Sequence, residues 1–154
     1  MVSRQLVYES GGWKENLLMN QDGDFFSRIL MIASKAYFIS NAKVYYRIGE
    51  YSTVSKANSE NKLVSLLDSY ISYKENALIH KDNLRVRKAL SYNFTYFIYL
   101  YGNKYPALYK KAKDQVENLG VGFQLRKKSP RIRFVSKILG FENLMAIRRI
   151  ISKE

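Results

Sequence analysis

The residues best able to do chemistry lie between Gly11 and Arg28. Asn20 precedes an apolar-periodic segment, and Asn is a favoured helix N-cap. Asp22 and Asp24 then fall in the first turn, where the helix dipole and the free backbone N–H groups favour negative charge. A carboxylate held anionic in this way can accept a proton, and the helix fixes its direction. The same pair can equally be the acidic first turn of a capped helix and nothing more. Asp24 and Arg28 are four residues apart, so they can pair along the helix. Upstream, Gly11-Gly12-Trp13-Lys14-Glu15 reads as a loop. There Trp13 is either a core anchor or a stacking surface, and Glu15 can serve hydroxyl groups as a hydrogen-bond partner.

Other chemistry is excluded by composition. The 154 residues contain no cysteine, which removes disulfides, thiolate zinc sites and cysteine nucleophiles. The single histidine, His80, cannot build a histidine-cluster metal site, and its surroundings read as a helix end. No stretch approaches the ~20 consecutive apolar residues of a membrane span. The first apolar run, Leu6-Val7-Tyr8, is too short for a secretory leader, so none is expected. With 47% apolar and 25% charged residues, the chain is neither a disordered tail nor a fibre. A reducing, cytoplasmic setting is expected.

Charge adds a second signal. The chain carries 26 Lys and Arg against 13 Asp and Glu, a net of +13. Residues 104–154 hold 13 basic and 4 acidic side chains, so most of the excess lies in the last third. A basic segment of this kind suits a polyanionic partner: nucleic acid, an anionic membrane surface or a phosphorylated substrate.

The elements that must position these residues follow from periodicity and breakers. Ser3–Ser10 forms a short helix with Ser3 as N-cap, ended by Gly11-Gly12. Gly12–Met19 is a loop. The helix opened by Asn20 runs to about Lys35, with Phe25, Ile29 and Ile32 as its apolar stripe and Phe26 and Leu30 widening it. Tyr37–Ile39 and Lys43–Ile48 read as short strands around a Ser40-Asn41 turn. Gly49–Ser59 is a polar loop. Helices follow over Lys62–Ala77, over Leu84–Tyr101 with Gly102 as its stop, and from Pro106 to near Gly120-Val121-Gly122. Two short amphipathic segments close the chain. One carries Ile132, Val135, Ile138 and Leu139; the other carries Leu144, Ile147 and Ile151, with Gly140 between them. The Tyr92–Tyr101 stretch reads as packing.

Read together, the run Gly11-Gly12-Trp13-x-Glu15-x-Leu17, the run Asn20-Gln21-Asp22-Gly23-Asp24-Phe25-Phe26-x-Arg28, the later Tyr45-Tyr46-Arg47 and the serine-rich loop resemble family 2 glycosyltransferases of the GT-A fold. The resemblance covers about Ser3 to Ser55. It extends loosely through the helical part, where Leu139-Gly140-Phe141-Glu142-Asn143 is similar to the C-terminal segments of these enzymes. It implies an α+β, mostly α chain: the C-terminal part of a GT-A α/β fold, with two short strands followed by a helical extension. The implied divisions are 1–58 for the acceptor loop, base helix and strand pair, 59–122 for the helical extension and 123–154 for a basic amphipathic tail.

The resemblance also implies roles. Asp22 would be the general base of an inverting transfer from a nucleotide-sugar to a saccharide or lipid-linked acceptor, in bacterial cell-surface polysaccharide biosynthesis. Trp13, Glu15 and Asp24 would contact the acceptor. Arg47, Ser52 and Ser55 would lie near the donor diphosphate. The family's nucleotide-binding half, with its Asp-x-Asp pair holding a divalent metal (Mg or Mn), has no counterpart in these residues. Asp22-Gly23-Asp24 has the right letters at the wrong place in the order, so no metal ligand is read in this chain. The chain is therefore expected to be a fragment, inactive alone and prone to self-association through its uncovered edge.

Two other classes compete. One is a basic nucleic-acid- or membrane-surface-binding module without catalysis; the other is a structural or regulatory remnant. No helix-turn-helix, ribonucleoprotein or oligonucleotide-barrel signature is visible, which counts against nucleic acid. Basic residues accompanying short apolar stripes fit peripheral attachment of 123–154 to the inner face of a membrane.

Overall fold

A computed structural model describes residues 1–45, 59–125 and 130–151. They form seven helices: α1 Arg4–Glu9, α2 Gln21–Ile32, α3 Glu60–His80, α4 Leu84–Tyr101, α5 Pro106–Leu119, α6 Pro130–Leu139 and α7 Phe141–Ile151. The chain divides into two compact units, Met1–Asn76 and Ala77–Glu154, with the division inside α3.

The strand pair is not found. Among the described residues there is no strand, and Tyr37–Ile39 and Lys43–Tyr45 are irregular. The rest of the second expected strand lies outside the described residues. An α/β sheet of the GT-A kind is therefore not supported, and the α+β class is corrected to a helical one. The physical reason is partnership. Two short strands are marginal on their own and need a third strand or a packed cover. Among the described residues there is no further strand, and the side chains of Tyr37, Phe38, Ile39, Val44 and Tyr45 are all largely exposed.

Unit 1 is organised by its breakers and by α3. Ser3 caps α1 by accepting from the Leu6 amide, and Gly11 and Gly12 leave the helix with φ of 77° and 68°, a region glycine adopts freely. Leu17, Ile29, Leu63, Leu66 and Leu67 are buried. α2 stops at Ile32, earlier than its apolar stripe suggests, because Ala33 is extended. An open groove of about 500 Å³ runs beside α1 and α2, lined in part by Leu6, Phe26, Ile29, Leu30 and Tyr37.

Unit 2 packs α5 on α4. Asn83 caps α4 by accepting from the Val86 amide at 3.0 Å, and Pro106 opens α5. Leu90, Phe94, Phe97 and Ile98 are buried on α4, as are Leu108, Ala112, Val116 and Leu119 on α5. The connection is tight at Gly102, where a Cβ would sit 2.6 Å from the Ile98 carbonyl oxygen and 2.8 Å from the Tyr109 ring. Two polar side chains of α4 hold the segment after α5. Ser91 Oγ donates to the Gly122 carbonyl at 2.5 Å, and the Gln124 amide donates to Thr95 Oγ1 at 3.0 Å. Each would cost stability if left unpaired in the interior.

Candidate functional site

The start of α2 divides its two carboxylates between water and the interior. Asp24 is 0% exposed and Arg28, one turn on, is 7% exposed. Arg28 Nε and Nη2 lie 3.0 and 2.9 Å from Asp24 Oδ2. Lys14 Nζ approaches Asp24 Oδ1 at 3.4 Å. The rest of the Arg28 guanidinium reaches back to the glycine loop: Nη1 donates to the Ser10 carbonyl and Nη2 to the Gly12 carbonyl at 2.7 Å. A buried charge survives only when paired and hydrogen-bonded, and both conditions hold here. Of the two readings open for Asp24, the pairing with Arg28 is the one present. Its carboxylate faces the interior and offers an acceptor no surface.

One polar edge of α3 holds the loop from the other side. Lys14 Nζ donates to Ser72 Oγ at 2.8 Å, and the Leu18 amide donates to Ser65 Oγ at 2.7 Å. Asn20 stands at the N-cap of α2 with φ 62°, but its side chain does not cap the helix. Instead Asn20 Nδ2 donates to Ser69 Oγ at 2.8 Å and to Tyr73 Oη at 2.7 Å. Burial pushes the Tyr73 phenol above its ordinary value of 10.0; the Asn20 bond works against this, and the Asp24 and Asp22 charges add to it. Gly23 is required by the same closeness, because a Cβ there would overlap Tyr73 Oη and Asn20 Oδ1.

Lys14, Ser65, Ser69, Ser72 and Tyr73 were not legible as partners from residue type. Their one signal is spacing: Ser65, Ser69 and Ser72 recur at i, i+4 and i+7, a small polar stripe on a helix whose leucines mark another face.

What remains accessible is Asp22 and an aromatic cluster. Asp22 is exposed in the first turn of α2, where its Oδ1 accepts from the Gly23 amide at 2.8 Å. Phe25, one turn along, packs on Trp13 with ring centroids 5.1 Å apart and on Phe26 at 5.2 Å. Trp13 is 47% exposed, so part of its indole faces water while the other part is fixed by Phe25. Glu15 is exposed in the same loop. Arg47, Ser52 and Ser55 lie outside the described residues.

Among the described residues, no group of three His, Asp or Glu side chains comes together that could hold a metal ion. No protein-family model, curated protein or solved structure matches this chain.

Proposed function

We propose that this chain supplies the acceptor side of an inverting sugar transfer, with Asp22 as general base and Trp13 and Glu15 as acceptor contacts. The observation that carries the reading is the placement of Asp22: a solvent-facing carboxylate at a helix start, one turn from Phe25, which holds a half-exposed tryptophan. Apolar ring faces of this kind suit the C–H faces of a sugar, and a nearby carboxylate suits its hydroxyls. The resemblance of the Gly11–Leu17 and Asn20–Arg28 runs to family 2 glycosyltransferases points the same way.

In this reading an acceptor sugar lies on Trp13. Its hydroxyl oxygen attacks the anomeric carbon of a nucleotide-sugar, and the bond from that carbon to the diphosphate oxygen breaks with inversion. The hydroxyl proton passes to Asp22, and the nucleoside diphosphate leaves. Positioned base assistance of this kind is worth about 10²–10⁴-fold in rate. Asp24 does not take part in proton transfer. It anchors Arg28, which holds the Gly11-Gly12 turn and so positions the loop that presents Trp13. The nucleotide-sugar is bound by a companion part that these residues do not supply.

Trp13 is the only tryptophan, so its fluorescence reports on this site directly. Titrating the chain with neutral and amino-sugar oligosaccharides is expected to give a saturable change in emission. Glu15→Gln should weaken it. Emission that stays constant across the panel would sink the acceptor-site reading.

A further inference from the structure

The observations outside the α2 site concentrate on the two C-terminal helices. α7 is anchored on unit 2 by its inner face. Phe141 stacks on Phe123 with centroids 4.4 Å apart, Leu144 and Met145 are buried, and Glu142 accepts from Lys113 at 2.5 Å. Arg148 donates to the Tyr99 carbonyl and lies 3.8 Å over the Tyr99 ring. α6 packs on α7 across Gly140, which takes a φ of 80°. Both helices nevertheless leave large apolar side chains in water. Phe134 and Ile138, one turn apart on α6, are 64% and 63% exposed, and Ile147 and Ile150 on α7 are exposed as well. Single exposed apolar residues are ordinary, but pairs repeated at helical spacing on adjoining helices are not.

The charge on the same helices identifies what covers them. Residues 130–151 carry five basic side chains and one acidic one, and that acid, Glu142, is already engaged by Lys113. Lys137 and Arg149, next in sequence to Ile138 and Ile150, are exposed as well. A second copy of the chain would bring like charge against like charge. A nucleic acid offers phosphates but no medium for Ile138, Ile147 and Ile150. An anionic bilayer surface offers both headgroup phosphates and acyl chains. No helix among the described residues is long and apolar enough to cross a membrane, so the contact is one that lies on the surface.

We propose that α6 and α7 form a docking face for an anionic lipid surface, with Phe134, Ile138, Ile147 and Ile150 entering the headgroup boundary and Lys137 and Arg149 meeting lipid phosphates.

Flotation of the full chain with phosphatidylcholine vesicles, with and without phosphatidylglycerol, tests it. Binding is expected to the anionic vesicles and not to the neutral ones, and to weaken as salt rises. Lys137→Gln with Arg149→Gln should lower affinity about thirtyfold at low salt. Phe134→Ser with Ile138→Ser should lower it more than about tenfold at any salt, with circular dichroism and melting little changed because both side chains are mostly exposed. Failure to float with anionic vesicles would overturn the proposal. So would equal flotation of the Phe134→Ser, Ile138→Ser variant, or binding of duplex DNA that anionic vesicles do not compete away.

Discussion

Asp24 and Arg28 hold each other across one turn of α2, Nη2 2.9 Å from Oδ2, with no surface of the carboxylate exposed. Two residues earlier on the same helix, Asp22 faces water. The motif thus has one structural acid and one accessible acid, and they respond differently to substitution. Asp24→Asn leaves the Arg28 guanidinium buried against a neutral amide, which costs about 3–5 kcal/mol. Asp22→Asn changes an exposed side chain and shifts stability by less than about 0.5 kcal/mol. Urea unfolding followed by Trp13 emission reads unit 1 and separates the two; similar midpoints for both variants would reject the assignment.

Gly23 offers a test of sign. A glycine in a helix is ordinarily improved by alanine, by about 1 kcal/mol. Here the added Cβ would overlap Tyr73 Oη and Asn20 Oδ1. Gly23→Ala is therefore expected to destabilise by about 1–3 kcal/mol, the usual range for overpacking. Adding Tyr73→Phe should recover part of the loss by removing the nearest obstructing atom. A more stable Gly23→Ala protein would show that α2 and α3 do not approach as described.

Tyr73 should make unit 1 sensitive to alkali. Its folded pKa is raised above the ordinary 10.0, chiefly by burial. The folded state therefore holds the phenol proton more tightly than the unfolded state. The resulting stabilisation is present in full below the unfolded value and is lost as pH rises through it toward the folded value. Unfolding midpoints of the chain should fall above pH 10.0, and less steeply in Tyr73→Phe. Identical pH profiles for the two proteins would contradict this.

The catalytic reading predicts a change in rate without a change in fold. In an enzyme that joins this chain to a nucleotide-sugar-binding part, Asp22→Asn should lower turnover by about 10²–10⁴-fold. Donor affinity should be nearly unchanged. Glu15→Ala and Trp13→Ala should act on acceptor KM, because they remove contacts made by bound acceptor and not by the reacting atoms. Near-normal turnover in Asp22→Asn would exclude it as the base.

Much of the local structure was legible in residue type. Ser3, Gly11-Gly12, Gly102 and Pro106 mark helix ends because capping, left-handed backbone and proline geometry act within a few residues. The helix over Leu84–Tyr101 has the bounds that its periodicity and its Gly102 stop require. The acidic first turn of α2 is legible in the same way, as is the possibility that Asp24 pairs with Arg28 four residues on.

Tertiary structure alone decided the rest. Tyr37–Ile39 has strand-like residues, but a strand exists only where another chain segment satisfies its amides, and pairing is not a local property. Asn20 is an N-cap by type, yet its side chain is drawn to Ser69 and Tyr73, 49 and 53 residues away. Asp22 and Asp24 are the same residue type two positions apart. One is buried and the other exposed because only one side of α2 meets Lys14 and the loop that Arg28 holds. Sequence spacing sets which side chains share a side of a helix; which side turns inward depends on what the remainder of the chain brings against it.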